Sequence, residues 1–173
     1  MNLERIKSIM SYLLVIASAL IIRFYVFSIV KVEGTSMYPT LHHGDYLFLN
    51  KINYRFHSIK RGDIVVIKMG KSRYIKRVIG LPGETIQAID GKVYINGKYL
   101  EESYLSKDII TLDFNLEEIS GNYQIPDDEY FVMGDNRPNS KDSRVFKAVE
   151  RKKIIGKTTI VLFPFTRFDK KLK

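Results

Sequence analysis

The sequence predicts a mainly β protein, with an antiparallel β-rich body over residues 31–173 behind a single N-terminal transmembrane helix within residues 1–30. Three observations predict it. Beyond residue 30 the chain breaks into short apolar runs separated by turn residues, and no long stretch carries a helical period. Asp90-Gly91 and Asn96-Gly97 fall between such runs, and both dipeptides suit the positive φ angles of tight hairpins. From Ser8 to Val30 the only charge is Arg23, and as a helix that run would extend about 34 Å at ~1.5 Å per residue, enough to cross a bilayer.

The N-terminal run reads as a retained anchor. A buried core helix is the alternative, but an amphipathic surface helix would show a polar stripe, whereas this run offers only scattered Ser and Tyr, and a membrane span is preferred. Arg23 can snorkel to an interface beside Phe24 and Tyr25. Ala17-Ser18-Ala19 has the small-x-small form of a cleavage site, but Leu20-Ile21-Ile22 follow it directly, so it lies inside the apolar run rather than after it. Arg5 and Lys7 precede the run and favour a cytoplasmic N-terminus, which puts the body on the outer face of the cell membrane in a single-pass arrangement.

In the body, strands are expected over 29–33, 46–50, 64–69, 73–79, 85–89, 92–95, 98–100, 130–133 and 154–163. The two Gly-containing turns make the runs from Thr85 to Leu100 a three-stranded meander. Leu81-Pro82-Gly83 ends the strand before it, because proline donates nothing to a ladder and glycine permits the reversal.

Composition narrows the chemistry. With no cysteine in 173 residues, disulfide frameworks, thiolate metal sites and cysteine nucleophiles are excluded together. The formal charge of +9 suits nucleic acid or an anionic membrane surface equally, but the anchor places the body outside the cytoplasm and so argues against nucleic acid. The segment from Glu101 to Glu129 holds nine acids against the single base Lys107; it reads as a solvated excursion from a basic body.

Three segments carry candidate chemistry. Gly34-Thr35-Ser36-Met37-Tyr38-Pro39-Thr40-Leu41 follows the anchor closely, so an active group there would work near the membrane; a plain turn capping a short helix is the alternative. In Arg73-Tyr74-Ile75-Lys76-Arg77-Val78-Ile79-Gly80, strand alternation puts Lys76 on one face with Tyr74 and Val78, while Arg77 shares the other with Ile75 and Ile79. Alternation alone does not say which cation is internal. Gly134-Asp135-Asn136-Arg137-Pro138-Asn139-Ser140-Lys141-Asp142-Ser143-Arg144 is a dense polar loop after a strand, suited either to a surface loop or to a supporting network around a site.

Together with Gly62-Asp63-Ile64-Val65-Val66 and the continuation Leu81-Pro82-Gly83, these segments resemble, in order, the boxes of the type I signal peptidase family, in its short Gram-positive-type form. The resemblance implies a membrane-bound serine endopeptidase that removes N-terminal signal peptides from translocated preproteins bearing small residues before the cut. It makes Ser36 the nucleophile and Lys76 the general base, with Ser140 hydrogen-bonded to the lysine amine and Asp142 paired to Arg144. The Ser36 backbone N–H would hold the oxyanion. Some members add a serine hydroxyl two residues before the nucleophile; Gly34 stands there, so no side-chain donor is assigned. No cofactor or metal is called for.

Two positions depart from the family's pattern: Glu84 replaces the usual aspartate after Leu-Pro-Gly, and Lys147 replaces the glycine that usually follows Ser-Arg-x-Phe. Two rival readings remain at this point. One is a Ser-His-Asp triad drawing on His42, His43 or His57 with Asp135. The other is a tethered protein of the same fold that binds signal sequences without cutting them.

For the dyad, the physical demand is specific. A lysine of ordinary pKa ~10.4 is neutral in fewer than about one molecule in a thousand at pH 7, so Lys76 must be stripped of water to act as a base.

Overall fold

The computed structural model describes residues 3–21, 27–51, 58–106 and 108–168. Among them, two antiparallel sheets form the body. The larger has the strand order β1-β2-β11-β3-β4-β9-β10 and the smaller β7-β6-β5-β8. The large sheet comprises β1 (Phe27–Lys31), β2 (Tyr46–Asn50), β3 (Ile64–Met69), β4 (Ser72–Gly80), β9 (Glu129–Met133), β10 (Val149–Glu150) and β11 (Ile154–Phe163). The small one comprises β5 (Ile86–Ile89), β6 (Lys92–Ile95), β7 (Lys98–Tyr99) and β8 (Phe114–Asn115). Two short helices follow strands of the body: α2 (Leu116–Ser120) and α3 (Ser143–Phe146).

The meander is present as β5–β6–β7, and its turns show why those residues stand there: Asp90 and Gly91 have φ of 51° and 77°, Asn96 and Gly97 of 49° and 74°. Positive φ at both central positions matches the right-handed twist of the flanking strands. The two-residue strands β8 and β10 were not legible, being too short to show alternation.

The large sheet is covered on both faces. Ile64 and Val66 of β3 join one core with Val30, Leu47, Leu49 and Val161, while Val65 and Ile67 join a second with Val78, Val132 and Ile154. A third core, including Ile79, Phe131 and Met133 with Ile86, Val93 and Leu116, cements the small sheet to the large one. Strand β4 lies between β3 and β9, and from Ile75 onward every residue of it is buried. Both cations in that stretch, Lys76 and Arg77, are buried.

The N-terminal helix α1 runs over Leu3–Ile21. Its apolar side chains project outward, Leu13 and Leu14 being 60% and 71% exposed. Among the described residues no helix is long and apolar enough to cross a membrane; α1 carries Glu4, Arg5 and Lys7 in its first turns, and residues 22–26, including Arg23, lie outside the described residues. The far end of the expected span differs from expectation: Phe27 to Val30 belong to β1, paired antiparallel with β2 from Phe27 opposite Asn50 to Lys31 opposite Tyr46. The apolar run thus serves two elements, and hydropathy alone did not mark the switch between them.

Candidate active site

Strand β4 delivers Lys76 and the turn after β1 delivers Ser36, and the two meet: Lys76 Nζ lies 2.6 Å from Ser36 Oγ in a hydrogen bond. The turn is built to present that hydroxyl. Met37 and Leu41 are buried at 2% and 0% exposure, the Leu41 N–H donates to the Met37 carbonyl at 2.8 Å and the Tyr38 N–H to Thr35 at 3.0 Å. Thr40 donates to Asp135 Oδ2 at 2.5 Å. With its neighbours so fixed, Ser36 is left half-buried at the rim of a cleft.

That cleft encloses 830 Å³ and runs between β1 and the first half of β4, with Ser36, Met37, Asn139 and Lys141 along it. The Ser36 N–H, on a residue that lines the cleft, donates to no acceptor among the described residues.

Lys76 is 2% exposed, and its pKa falls from 10.5 to about 8. Burial is the cause; Asp142 and Asp135 push the other way and Arg144 assists. The two carboxylates fail to reverse the shift because each is matched to a guanidinium of its own. Asp142 accepts from Arg144 Nε at 2.9 Å and Nη2 at 2.8 Å, and also from the Gly134 N–H at 3.0 Å. Burial alone would raise the Asp142 pKa, but the Arg144 bonds and charge, with the Gly134 N–H, hold it below the ordinary carboxylate range. Asp135 accepts from Arg77 Nε at 2.9 Å and Nη2 at 2.7 Å, with both side chains fully buried.

Arg77 is therefore internal together with Lys76, on the opposite face of β4, where it also donates to the Gly62 carbonyl at 2.9 Å and stacks over the Tyr104 ring at 3.9 Å from its centroid. Alternation could not choose between the two cations because both faces are covered.

The polar loop after β9 closes the site. Asn136 N–H donates to the Ser36 carbonyl at 3.0 Å, and its side-chain amide donates to the Thr35 carbonyl at 3.2 Å. Gly134 is required for this approach: a Cβ there would stand 2.4 Å from the Ser36 carbonyl oxygen and 2.2 Å from Ser140 Oγ. Ser140 is where the structure departs from expectation. Its hydroxyl is buried without a hydrogen-bond partner of full geometry; it lies close enough to Asp142 to help lower that carboxyl, and the expected bond to the Lys76 amine is not formed. Asp142 and Arg144 do pair, and the Asp142 side chain also caps α3 through the Arg144 N–H at 3.2 Å. Ser143, which sequence reasoning did not single out, accepts from the Val132 N–H at 2.9 Å and ties the loop back to β9.

Among the described residues no histidine reaches the serine in a triad. Asp135 is occupied by Arg77 and Thr40, His43 Nδ1 accepts from the Gly34 N–H at 3.0 Å, and the His42 ring packs on Tyr38. His57 lies outside the described residues.

Both departures from the expected pattern have structural outcomes. Glu84 accepts from the Leu81 N–H at 2.7 Å and pairs with Arg61 at 2.5 Å, so the longer carboxylate closes the Leu-Pro-Gly turn. Lys147 adopts φ 69°, ψ −175° at the end of α3, a backbone region populated almost only by glycine.

Comparison with known proteins agrees with this geometry. The profile of the family described as "Signal peptidase, peptidase S26" matches residues 5–163. The chain is 48% identical over 154 residues to signal peptidase I T of Bacillus subtilis, covering 85% of this chain and 79% of that protein. It is 42% identical over 173 residues to a signal peptidase I of Bacillus licheniformis, covering 96% and 91%. The crystal structure of a signal peptidase I from Enterococcus faecalis V583 superposes with a TM-score of 0.53 at 40% identity, covering 58% of this chain and 97% of that one.

Proposed function

The chain belongs to the signal peptidase family, peptidase S26, and on that premise we propose that Ser36 and Lys76 are the nucleophile and general base with which it cleaves preproteins. It is a serine endopeptidase that removes signal peptides. The observation that carries the dyad is the 2.6 Å contact between the Ser36 hydroxyl and an amine that burial makes easier to deprotonate. With a pKa of about 8, about a tenth of Lys76 is neutral at pH 7, where an ordinary lysine offers almost none.

The preprotein lies extended in the cleft between β1 and β4, its backbone aligned by strand-like hydrogen bonds and its small side chains before the cut admitted where larger ones are not. Neutral Lys76 takes the Ser36 proton as Oγ bonds to the scissile carbonyl carbon, and the oxyanion forms opposite the unengaged Ser36 N–H. The lysine ammonium then gives that proton to the departing amine as the C–N bond breaks, and water hydrolyses the acyl-enzyme by the same base. Asp142 and Arg144 hold the loop, with Ser140 beside them within reach of the site once substrate moves in.

The anchor belongs to the same proposal. A helix whose apolar side chains face outward all round, as those of α1 do, costs least with lipid around it. Such a helix tethers the body to the outer face of the membrane with the N-terminus in the cytoplasm, and because β1 begins at Phe27 the cleft is kept close to the bilayer.

The test is to mix the detergent-purified protein, Ser36→Ala and Lys76→Ala separately with a preprotein and to sequence the new N-terminus. Cleavage by the parent after a small residue, and its loss in both variants, is expected. A Lys76→Ala protein that still cuts would overturn the dyad.

A further inference from the structure

The excursion between β7 and β8 is the acidic stretch that looked like a solvated loop, yet its first residues turn inward. Glu102 grips the Arg137 guanidinium in a two-pronged ion pair, with the arginine side chain fully buried and Glu102 only 10% exposed. Thr111, from the far end of the excursion, accepts from Arg137 Nη1 at 2.6 Å. Tyr104 donates its hydroxyl to Glu102 and lays its ring under Arg77. None of these three is hydrogen-bonded to the Ser36 or Lys76 side chain, which bond to each other.

Arg137 is the pivot of the polar loop. Its Nε donates to the Gly134 carbonyl at 3.1 Å, and its own carbonyl accepts from Arg144 Nη2 at 2.7 Å. The turn it staples, 134–137, carries the Asn136 N–H that holds the Ser36 carbonyl and the Gly134 N–H that holds Asp142. Building on the dyad reading, we infer that Glu102 and Tyr104 are positioning residues for the peptidase reaction, which clamp Arg137 and Arg77 from the small sheet's excursion and thereby set the register of the 134–144 loop against Ser36.

Charge accounting supports the assignment. Arg77 has Asp135 and Arg144 has Asp142; Arg137 lies near Asp135 as well, and Glu102 is the carboxylate that keeps it from competing there. Without Glu102, a buried guanidinium would seek Asp135, which also anchors Thr40 in the nucleophile's turn. A shift there displaces both sides of the dyad's support, and a displacement on the order of 1 Å costs a reaction of this kind about 100-fold.

The experiment compares the full-length parent with Glu102→Gln, Tyr104→Phe and the exposed neighbour Glu101→Gln, with Ser36→Ala as the blank. Three quantities are read on each: folded fraction, kcat and KM for a preprotein, and amide exchange of the peptide containing Asn136. Expected for Glu102→Gln is a fall in kcat per folded molecule of about 10- to 100-fold with KM changed little, together with faster exchange at Asn136, while Glu101→Gln matches the parent. A folded Glu102→Gln that keeps the parent kcat, or the parent exchange rate at Asn136, overturns the inference. Should Glu102→Gln not fold, Tyr104→Phe decides, since it keeps every charge and the ring over Arg77 and removes only the hydroxyl's two hydrogen bonds, the one it donates to Glu102 and the one it accepts from Arg137 Nη2; lower kcat with faster exchange supports the clamp, and parental values of both refute it. If Ser36→Ala cleaves as well as the parent, the dyad reading falls, whereas the exchange measurement still judges the clamp.

Discussion

Strand β4 carries two buried cations side by side, and the regions around them are built to opposite ends. Around Arg77 every charge is matched: Asp135 binds it through two hydrogen bonds and Tyr104 covers its face. Around Lys76 no carboxylate among the described residues comes into an ion pair; its hydrogen-bond partner is the neutral hydroxyl of Ser36, and Asp135 and Asp142 are already engaged by arginines. Burial beside a counter-ion yields structure, and burial without one yields a reactive amine.

The largest expected effect is at the unpaired cation. Lys76→Met should lower cleavage by at least about 1,000-fold, because it removes the base proposed for Ser36. The same change should stabilise the fold at pH 7 by about 3 kcal/mol, the equivalent of moving a pKa from 10.5 to about 8. The sign follows from proton uptake. Native Lys76 holds fewer protons than the unfolded chain between pH 8 and 10.5, so the parent's stability rises with pH across that window; the penalty is full below it and gone above it. Cleavage by the parent should likewise climb tenfold per pH unit below about 8 and level off above. A variant no more stable than the parent at pH 7, or a parental rate flat from pH 6 to 9, would break the contrast.

At the matched cation the prediction reverses. Asp135→Asn leaves Arg77 buried without its counter-charge and should cost about 3 to 5 kcal/mol in denaturant unfolding. A loss below about 1 kcal/mol would show that the Arg77 side chain finds water, and the two cations would then differ less than their surroundings suggest.

Much of this was legible in the sequence, and the limits were physical. The Ser36 and Lys76 motifs stand on β1–β2 and β4 as alternation and turn residues indicated, and strands such as Ile64–Met69 and Lys92–Ile95 fall where read. What alternation could not convey was that β4 is covered on both faces, which is why Arg77 and Lys76 are internal together. Nor could local pattern separate the inward Glu102 from the outward Glu101, since their environments are set by Arg137, 35 residues away from Glu102 in the chain. The apolar run through Val30 hid the start of β1, because a strand packed in the core and a helix in lipid are equally apolar.

The smallest expected effect tests whether the loop's end is under strain. Lys147 holds φ 69° and ψ −175° while its N–H closes α3 on the Ser143 carbonyl at 3.0 Å. A side chain with a Cβ is disfavoured there by about 1 to 3 kcal/mol, and glycine is not; part of that gain is offset because glycine loses more backbone freedom on folding, about 0.5 to 1 kcal/mol. Lys147→Gly should therefore raise stability by about 1 kcal/mol, read as an upward shift in the unfolding midpoint. Cleavage should be unchanged, because the Lys147 side chain is exposed and the Asp142–Arg144 pair that steadies the loop precedes it. Lys147→Ala separates the explanations: it keeps the Cβ and the strain, so it should leave the midpoint where the parent has it. If alanine stabilises as much as glycine does, the gain comes from removing the lysine's charge, and the backbone at this position is relaxed.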